Sequence, residues 1–426
     1  VWVNLLAGVW LVLFMFHKVN LNSIFYQARP MIFLLCLWLL WILFQITPLP
    51  FALVAKLSPQ AAAHYALLPA PPAWITISVE PHATQSAFLK SLAYVLVFCL
   101  TLLLINTRKR AKLLAYTLIL SGLFQAVYGS LMTLSGLEYG FFIKKTTSLG
   151  YVSGTFTNRN HLAGYLVMCL STGIGLMIAN LDNSVITGWK ERLHYLVKLS
   201  LSAKFRLRLS LVIMVIALVM THSRMGNASF FASLLIAGGL ALLLSRHATR
   251  ATVILIISLV VIDIFIVGTW FGVEKVVERI EQTSLETEHR DETYGHVRDQ
   301  WSDYTLTGSG LGTFYAVFPR YKTVLEAGGF YKHAHNDYLE FGSETGIIGL
   351  CMMGAVVLLS LVTALIAQYR RHDPLMRGIS FAAIMGITAI LIHSTVDFNL
   401  QIPANALTFM LLLALAWLSL HLKHNH

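Results

Sequence analysis

The feature that most constrains this chain is a succession of apolar stretches, most of them close to the length of helix that crosses a hydrocarbon core. Such a crossing takes about 20 helical residues. Stretches of this kind lie near 1–16, 31–49, 88–106, 112–134, 161–180, 208–222, 227–245, 251–272, 346–368, 377–396 and 404–421. Inside a bilayer every backbone polar group must pair within the protein, which makes each stretch a helix. Composition agrees: 57% of residues are hydrophobic, 12% are charged, and the mean hydropathy of +0.69 excludes an ordinary soluble globule. The expected fold class is all-α, a polytopic integral membrane protein.

Orientation follows from the basic residues, because cytoplasmic connections carry the excess of Lys and Arg. Arg108-Lys109-Arg110, the connection with Lys190, Arg192, Lys198, Lys204, Arg206 and Arg208, the group from Arg246 to Arg250, and Arg370-Arg371 fall on alternate connections. They share one side, the cytoplasm, and 50–87, 135–160, 222–226, 273–345 and 397–403 face outward. The same alternation puts Val1 outside. That predicts a further helix before it, about twelve in the complete protein, with no cleavable signal peptide at this opening.

The net charge of +11 sits mostly in the connections where orientation demands it, so it does not point to nucleic acid. Cys36, Cys99, Cys169 and Cys351 lie in apolar stretches without paired spacing and are expected as free thiols. With no internal repeat, 1–426 is expected as a single transmembrane domain.

The long outer segment 273–345 opens with mixed charges from Glu274 to Glu292 at helical spacing, the pattern of a solvated helix. Gly308-Ser309-Gly310-Leu311-Gly312-Thr313-Phe314 follows. It is either a phosphate cradle built from backbone N–H groups or a tight packing loop. Arg298 and Arg320 bracket it, as phosphate ligands or as snorkelling side chains. The segment ends in His333-Ala334-His335-Asn336-Asp337-Tyr338-Leu339-Glu340, a titratable cluster at a membrane boundary. An imidazole there can accept a hydroxyl proton near neutral pH.

Asn158-Arg159-Asn160-His161 and Thr221-His222-Ser223-Arg224 lie on the same outer side. Charges at a membrane boundary usually have partners or ligands, so four arginines and several histidines are expected to converge on one outer cavity. His393 and Asp397 close the penultimate span, with Asp397 expected to pair with an arginine and both expected in structural roles. Asp263 lies within a span. Pro69, Pro71 and Pro72 oppose a helix, so 50–87 is expected as an extended lid or short strand over the cavity mouth. Trp74 and Trp301 read as interfacial anchors or sugar platforms.

Taken together, Gly154 to Leu166, Ser223-Arg224, Gly308 to Phe314, His333 to Leu339 with Glu344-Thr345-Gly346, and Val396-Asp397-Phe398 resemble the O-antigen ligase and polymerase superfamily of bacterial envelope glycosyltransferases. The resemblance covers a core of about 150–405. It implies a GT-C type membrane enzyme of the bacterial inner membrane whose catalytic motif lies in a large periplasmic loop, 273–345. Such an enzyme transfers a glycan from undecaprenyl diphosphate to an acceptor hydroxyl without metal or other cofactor. The acceptor is lipid A-core for a ligase and a second lipid-linked glycan for a polymerase.

By the same resemblance His335 is the essential histidine, as base or positioning group, and Arg224 holds the diphosphate. Arg159, Arg298 and Arg320 are further diphosphate ligands, and Asn160, Asn336, Asp337 and Asp397 support the site. Asp337 is expected to complement a helix N-terminus. A polysaccharide flippase or transporter is the reading from another class. It would gather polar residues at the bilayer midplane on broken helices, whereas here they lie at the outer boundary.

Overall fold

The computed structural model describes residues 2–181, 202–244, 257–258, 261, 294–322 and 331–423. Among them run ten long helices. They are α1 (Trp2–Met15), α2 (Arg29–Ile46), α3 (Pro81–Leu104), α4 (Arg108–Leu134), α5 (Arg159–Ala179), α6 (Ala203–Met220), α7 (Arg224–Leu244), α8 (Asp337–Arg370), α9 (Pro374–His393) and α10 (Pro403–His421). Eight are long and apolar enough to cross a membrane, and the chain is an all-α polytopic membrane protein. The ten helices coincide with ten of the eleven apolar stretches. Nearly all of the stretch 251–272, with Asp263, lies outside the described residues. So do Lys190, Arg192, Lys198, the group from Arg246 to Arg250 and the charged run from Glu274 to Glu292.

The helix starts carry local signals. Asn158, Asn336 and Asp373 accept hydrogen bonds from first-turn N–H groups of α5, α8 and α9, and proline stands in the first turn of α2, α3, α9 and α10. A side-chain acceptor satisfies an N–H that the helix leaves unpaired, and a first-turn proline has none to satisfy.

Helix α5 is the centre of the bundle, with α9 and α10 against it; all three are largely buried, while α4 keeps Leu113, Leu120, Phe124 and Leu131 exposed. Helices α5 and α9 meet at backbone distance. A Cβ on Gly175 would stand 2.2 Å from the carbonyl oxygen of Gly378, so neither position admits a larger residue.

Gly346 breaks α8. Its φ of 64° is left-handed, and a Cβ there would lie 2.2 Å from the Leu306 oxygen. The Ile347 N–H, freed by the break, donates to Thr305 O at 2.8 Å. The membrane-spanning part of α8 therefore starts where the apolar stretch starts, and the residues before Gly346 form about two and a half outer turns that carry the polar cluster.

The segment 50–87 departs from the expected extended lid. Strands β1 (Leu49–Pro50) and β2 (Trp74–Ile75) pair antiparallel, but Phe51–Leu57 and Pro59–Ala66 between them are helical. Pro59 sits at a helix start, where proline is tolerated; Pro69, Pro71 and Pro72 lie in the irregular stretch that follows. Val54, Ala61, Ile75 and Ile77 pack on Tyr304 and Val317. The unit thus covers the outer segment 294–321. A second ribbon, β3 (Tyr139–Gly140) with β4 (Ile143–Lys144), follows α4. The four cysteines are free thiols.

Candidate active site at the outer end of the bundle

Four histidines from three parts of the chain meet around one dipeptide, Asp397-Phe398, in the turn between α9 and α10. His161 comes from the first turn of α5, His393 from the last residue of α9, and His333 and His335 from the stretch before α8. The Phe398 ring stacks on His333 at 4.3 Å and meets His161 and His335 edge-on at 4.5 and 4.8 Å. Asp397 is 1% exposed. Its Oδ1 lies 3.6 Å from His161 Nε2 and 4.0 Å from His335 Nδ1, and its Oδ2 lies 3.7 Å from His393 Nε2.

These separations exceed hydrogen-bond length, so the attraction is electrostatic, and the carboxylate anchors itself by accepting from the Phe398 N–H at 2.9 Å. Burial pushes the Asp397 pKa up, but the neighbouring imidazoles and the Phe398 N–H outweigh it and hold the carboxyl below its ordinary value. Asp397 therefore faces histidines instead of the expected arginine. Asparagines lock this turn to α5: Asn405 Nδ2 donates to His161 O and to Asn399 Oδ1, both at 3.0 Å.

His333 and His335 have different surroundings. His333 Nδ1 lies 2.7 Å from Glu340 Oε1, while Glu340 Oε2 accepts from the Ala334 N–H at 2.7 Å. Burial pushes the His333 pKa down to about 4, against the opposing pull of Glu344. His335 is the more open of the two, its side chain 40% exposed against 21%. Its backbone has a left-handed φ of 52°, uncommon for a residue with a side chain and a feature that clusters at functional sites. Tyr294 holds that conformation by donating to the His335 carbonyl at 3.0 Å.

Asn336 caps α8 and donates to Thr395 O at 2.7 Å. Asp337, in the first turn of α8, directs its carboxylate into the neighbouring turn, accepting from Ser394 Oγ at 2.6 Å and Leu400 N at 3.1 Å. Both side chains fasten the His335 loop to the Asp397 turn. Tyr338 adds a bond from its hydroxyl to Leu391 O.

A cavity of about 800 Å³ opens beside the cluster, lined by His161, His333, Phe398, Lys332, Gln125 and Tyr165 among others. The arginines do not share this lining. The Arg159 guanidinium lies 3.9 Å over the Tyr151 ring, and Tyr151 meets His222 edge-on at 5.3 Å. Arg159 is thereby brought near the turn that leads into Arg224, which is exposed at the start of α7; Asn160 is half-buried beside it on α5. Arg298 is exposed, with Nε 3.4 Å from Tyr294 O, and Arg320 contacts His64 of the 49–79 unit. Four histidines converge on Asp397-Phe398, while none of the four arginines lines the cavity.

The glycine run is a packing loop. The N–H groups from Gly308 to Phe314 go to Tyr304 O, Ser343 O, Glu344 O, Gln45 Oε1, the Glu344 carboxylate, Gly310 O and again Glu344. None is left over for a phosphate. Gly308, Gly310 and Gly312 all have positive φ, and the loop seats itself against the break in α8. Trp301 lies against Gly342, whereas Trp74 is exposed. Among the described residues no group of three or more His, Cys, Asp or Glu side chains is placed to hold a metal ion.

Sequence reasoning undervalued His161, His393, Phe398 and Glu340. His161 and Phe398 stood inside motifs that could have flagged them; nothing in the sequence marks Glu340 as the partner of His333.

The fold and the cluster define a polytopic helical membrane protein with a titratable site at one end of its bundle. Residues 209–354 match the family described as O-antigen ligase, which bears out the resemblance to the O-antigen ligase and polymerase superfamily. The matched segment runs from α6 into α8 and takes in Arg224, Arg298, Arg320, His335, Asn336 and Asp337, with Arg159, Asn160 and Asp397 outside it. No curated protein matches the chain.

Proposed function

We propose that this protein is a glycosyltransferase of the bacterial inner membrane that moves a glycan from undecaprenyl diphosphate to the hydroxyl of lipid A-core on the periplasmic side. The observation that carries the reading is the convergence on Asp397-Phe398, with His335 as its open, conformationally constrained member, inside a chain that matches the O-antigen ligases. The catalytic core is 150–405, and the outer segment 273–345 supplies His335.

The acceptor oxygen attacks the anomeric carbon while its proton passes to His335, and the bond from that carbon to the diphosphate oxygen breaks. Asp397 stabilises the imidazolium formed on His335. Charge grows on the departing diphosphate, where guanidinium groups act as forked, permanently charged donors. Arg224 and Arg159, linked through Tyr151 and the turn at His222, are assigned that role, with Arg298 and Arg320 as further ligands. Asn160, Asn336 and Asp337 position these groups.

A second reading is a polymerase that adds the glycan to another lipid-linked repeat. The match over residues 209–354 fits it equally. The test is reconstitution with an undecaprenyl-diphosphate-linked glycan, offered lipid A-core or a second lipid-linked glycan, with His335→Ala and His333→Ala in parallel. Glycan on lipid A-core, lost with His335→Ala and retained with His333→Ala, is the expected result. Longer lipid-linked chains would make it a polymerase. Donor lipid crossing the bilayer without either product would leave a transporter.

A further inference from the structure

The β3–β4 hairpin is an outer-face element with an unusual surface. Phe142 is 89% and Ile143 77% exposed, Phe141 is also exposed, and Lys144 stands beside them. In a soluble domain such a tip would be a liability. Its placement explains it. Phe141 packs against Phe124 and Tyr128 of α4 at 6.2 and 5.8 Å, and Tyr128 Oη accepts from the Phe141 N–H at 2.8 Å and donates to Tyr139 O at 3.1 Å. The hairpin has folded back down the helix it leaves.

At 1.5 Å per residue, Phe124 and Tyr128 lie about 15 and 9 Å below the outer end of α4. The headgroup zone on each side of a hydrocarbon core is only about 5–8 Å thick. Phe124 also belongs to the exposed stripe of Leu113, Leu120, Phe124 and Leu131, the face that α4 turns to lipid. The hairpin thus sits on the lipid-facing side, at the depth where headgroups give way to acyl chains. Aromatic rings with a flanking lysine are the side chains that favour that zone. The Tyr128 hydroxyl satisfies two hairpin backbone groups that poorly solvated surroundings would leave costly.

We propose that the β3–β4 hairpin is a membrane-surface wedge, with Phe142 and Ile143 immersed in the outer leaflet. It is clipped firmly to the cavity wall. Lys145 Nζ lies 3.0 Å from Glu138 Oε2, Glu138 Oε1 accepts from the Gly150 N–H at 2.8 Å, and Thr147 and Ser148 between them line the cavity. Immersion of the tip consequently holds the wall of the cavity that Thr147 and Ser148 form close to headgroup level. The wedge stands on geometry alone and holds whichever transfer reaction the site performs.

The test places the photo-crosslinker p-benzoylphenylalanine at Phe142 of the full chain, reconstituted in phosphatidylethanolamine–phosphatidylglycerol nanodiscs, with Leu120 on the lipid face of α4 as the standard. Among the described residues the only aromatic ring that Phe142 meets is its neighbour Phe141, and it is 89% exposed, so the substitution leaves the packed bundle intact. Intact mass after irradiation should show phospholipid adducts at Phe142 as at Leu120. Absence of phospholipid adducts at Phe142 while Leu120 forms them, or adducts chiefly to a second copy of the chain, would overturn the proposal.

Discussion

Gln45 joins the bundle to the outer segment that carries the candidate site, and removing it should release that segment. The residue is fully buried at the outer end of α2. Its amide donates to Thr307 O at 2.8 Å and Glu344 O at 2.9 Å and accepts from the Leu311 N–H at 3.2 Å. In Gln45→Ala the Glu344 carbonyl keeps the Gly310 N–H as a donor, but Thr307 O and Leu311 N lose these partners in a dry environment. Each orphaned buried group costs about 1–3 kcal/mol, so the outer loop should lose roughly 2–6 kcal/mol, with about 4 as the central value.

The loss falls on the loop because the spans do not depend on Gln45 for their packing. About 4 kcal/mol corresponds to a rise on the order of a thousandfold in the opening equilibrium. Hydrogen exchange on nanodisc-embedded protein should show it as faster exchange of the amides from Gly308 to Leu311, with the amides of α5 and α9 unchanged. Protection at Gly308–Leu311 within about threefold of the unsubstituted protein would refute the reasoning. So would a loss spread evenly through the bundle.

Gly346→Ala should lower thermal stability by several degrees, since it forces a side chain into left-handed backbone and onto the Leu306 carbonyl; Gly239→Ala, with nothing within 4 Å, should leave it unchanged or slightly raised. His333 has a folded-state pKa below the unfolded value. The unfolded chain then binds the extra proton, so this histidine's contribution is complete above about pH 6.5 and is lost as pH falls toward 4. Melting temperature measured across that window should fall more steeply for the unsubstituted protein than for His333→Gln. Arg108 meets Asp373 at 3.0 Å on a half-exposed surface, a pair worth under about 1 kcal/mol. Asp373 also caps α9, so Asp373→Ala should cost about 1 kcal/mol more than Arg108→Ala in thermal unfolding.

The spans and their starts were legible because they depend on local pattern: apolar length sets the helix, and Asn158, Asn336 and Asp373 announce its first turn wherever it packs. The titratable clusters were legible too, since His335 and Asp397 stood in polar runs at span ends. Their relation was not. Nothing in the 61 intervening positions says that His335 faces Asp397, or that His161 arrives from a third helix. The glycine run had two readings at the sequence level, and only the partners of its N–H groups decided for packing. Prolines at 69–72 suggested an extended lid, while the two helices before them follow from contacts with Tyr304 and Val317 that no local rule contains.

By itself the sequence determined an all-α protein with its apolar segments in the bilayer and its titratable side chains at one boundary. Lipid solvent leaves a chain of such segments no other way to satisfy its backbone. Tertiary structure alone decided which titratable groups share a site. It placed the histidines around Asp397 and kept the four arginines out of the cavity lining. It also folded an aromatic hairpin back toward the lipid face. These outcomes depend on how the helices cross, as where Gly175 meets Gly378, and that distance is set by the pair and not by either helix.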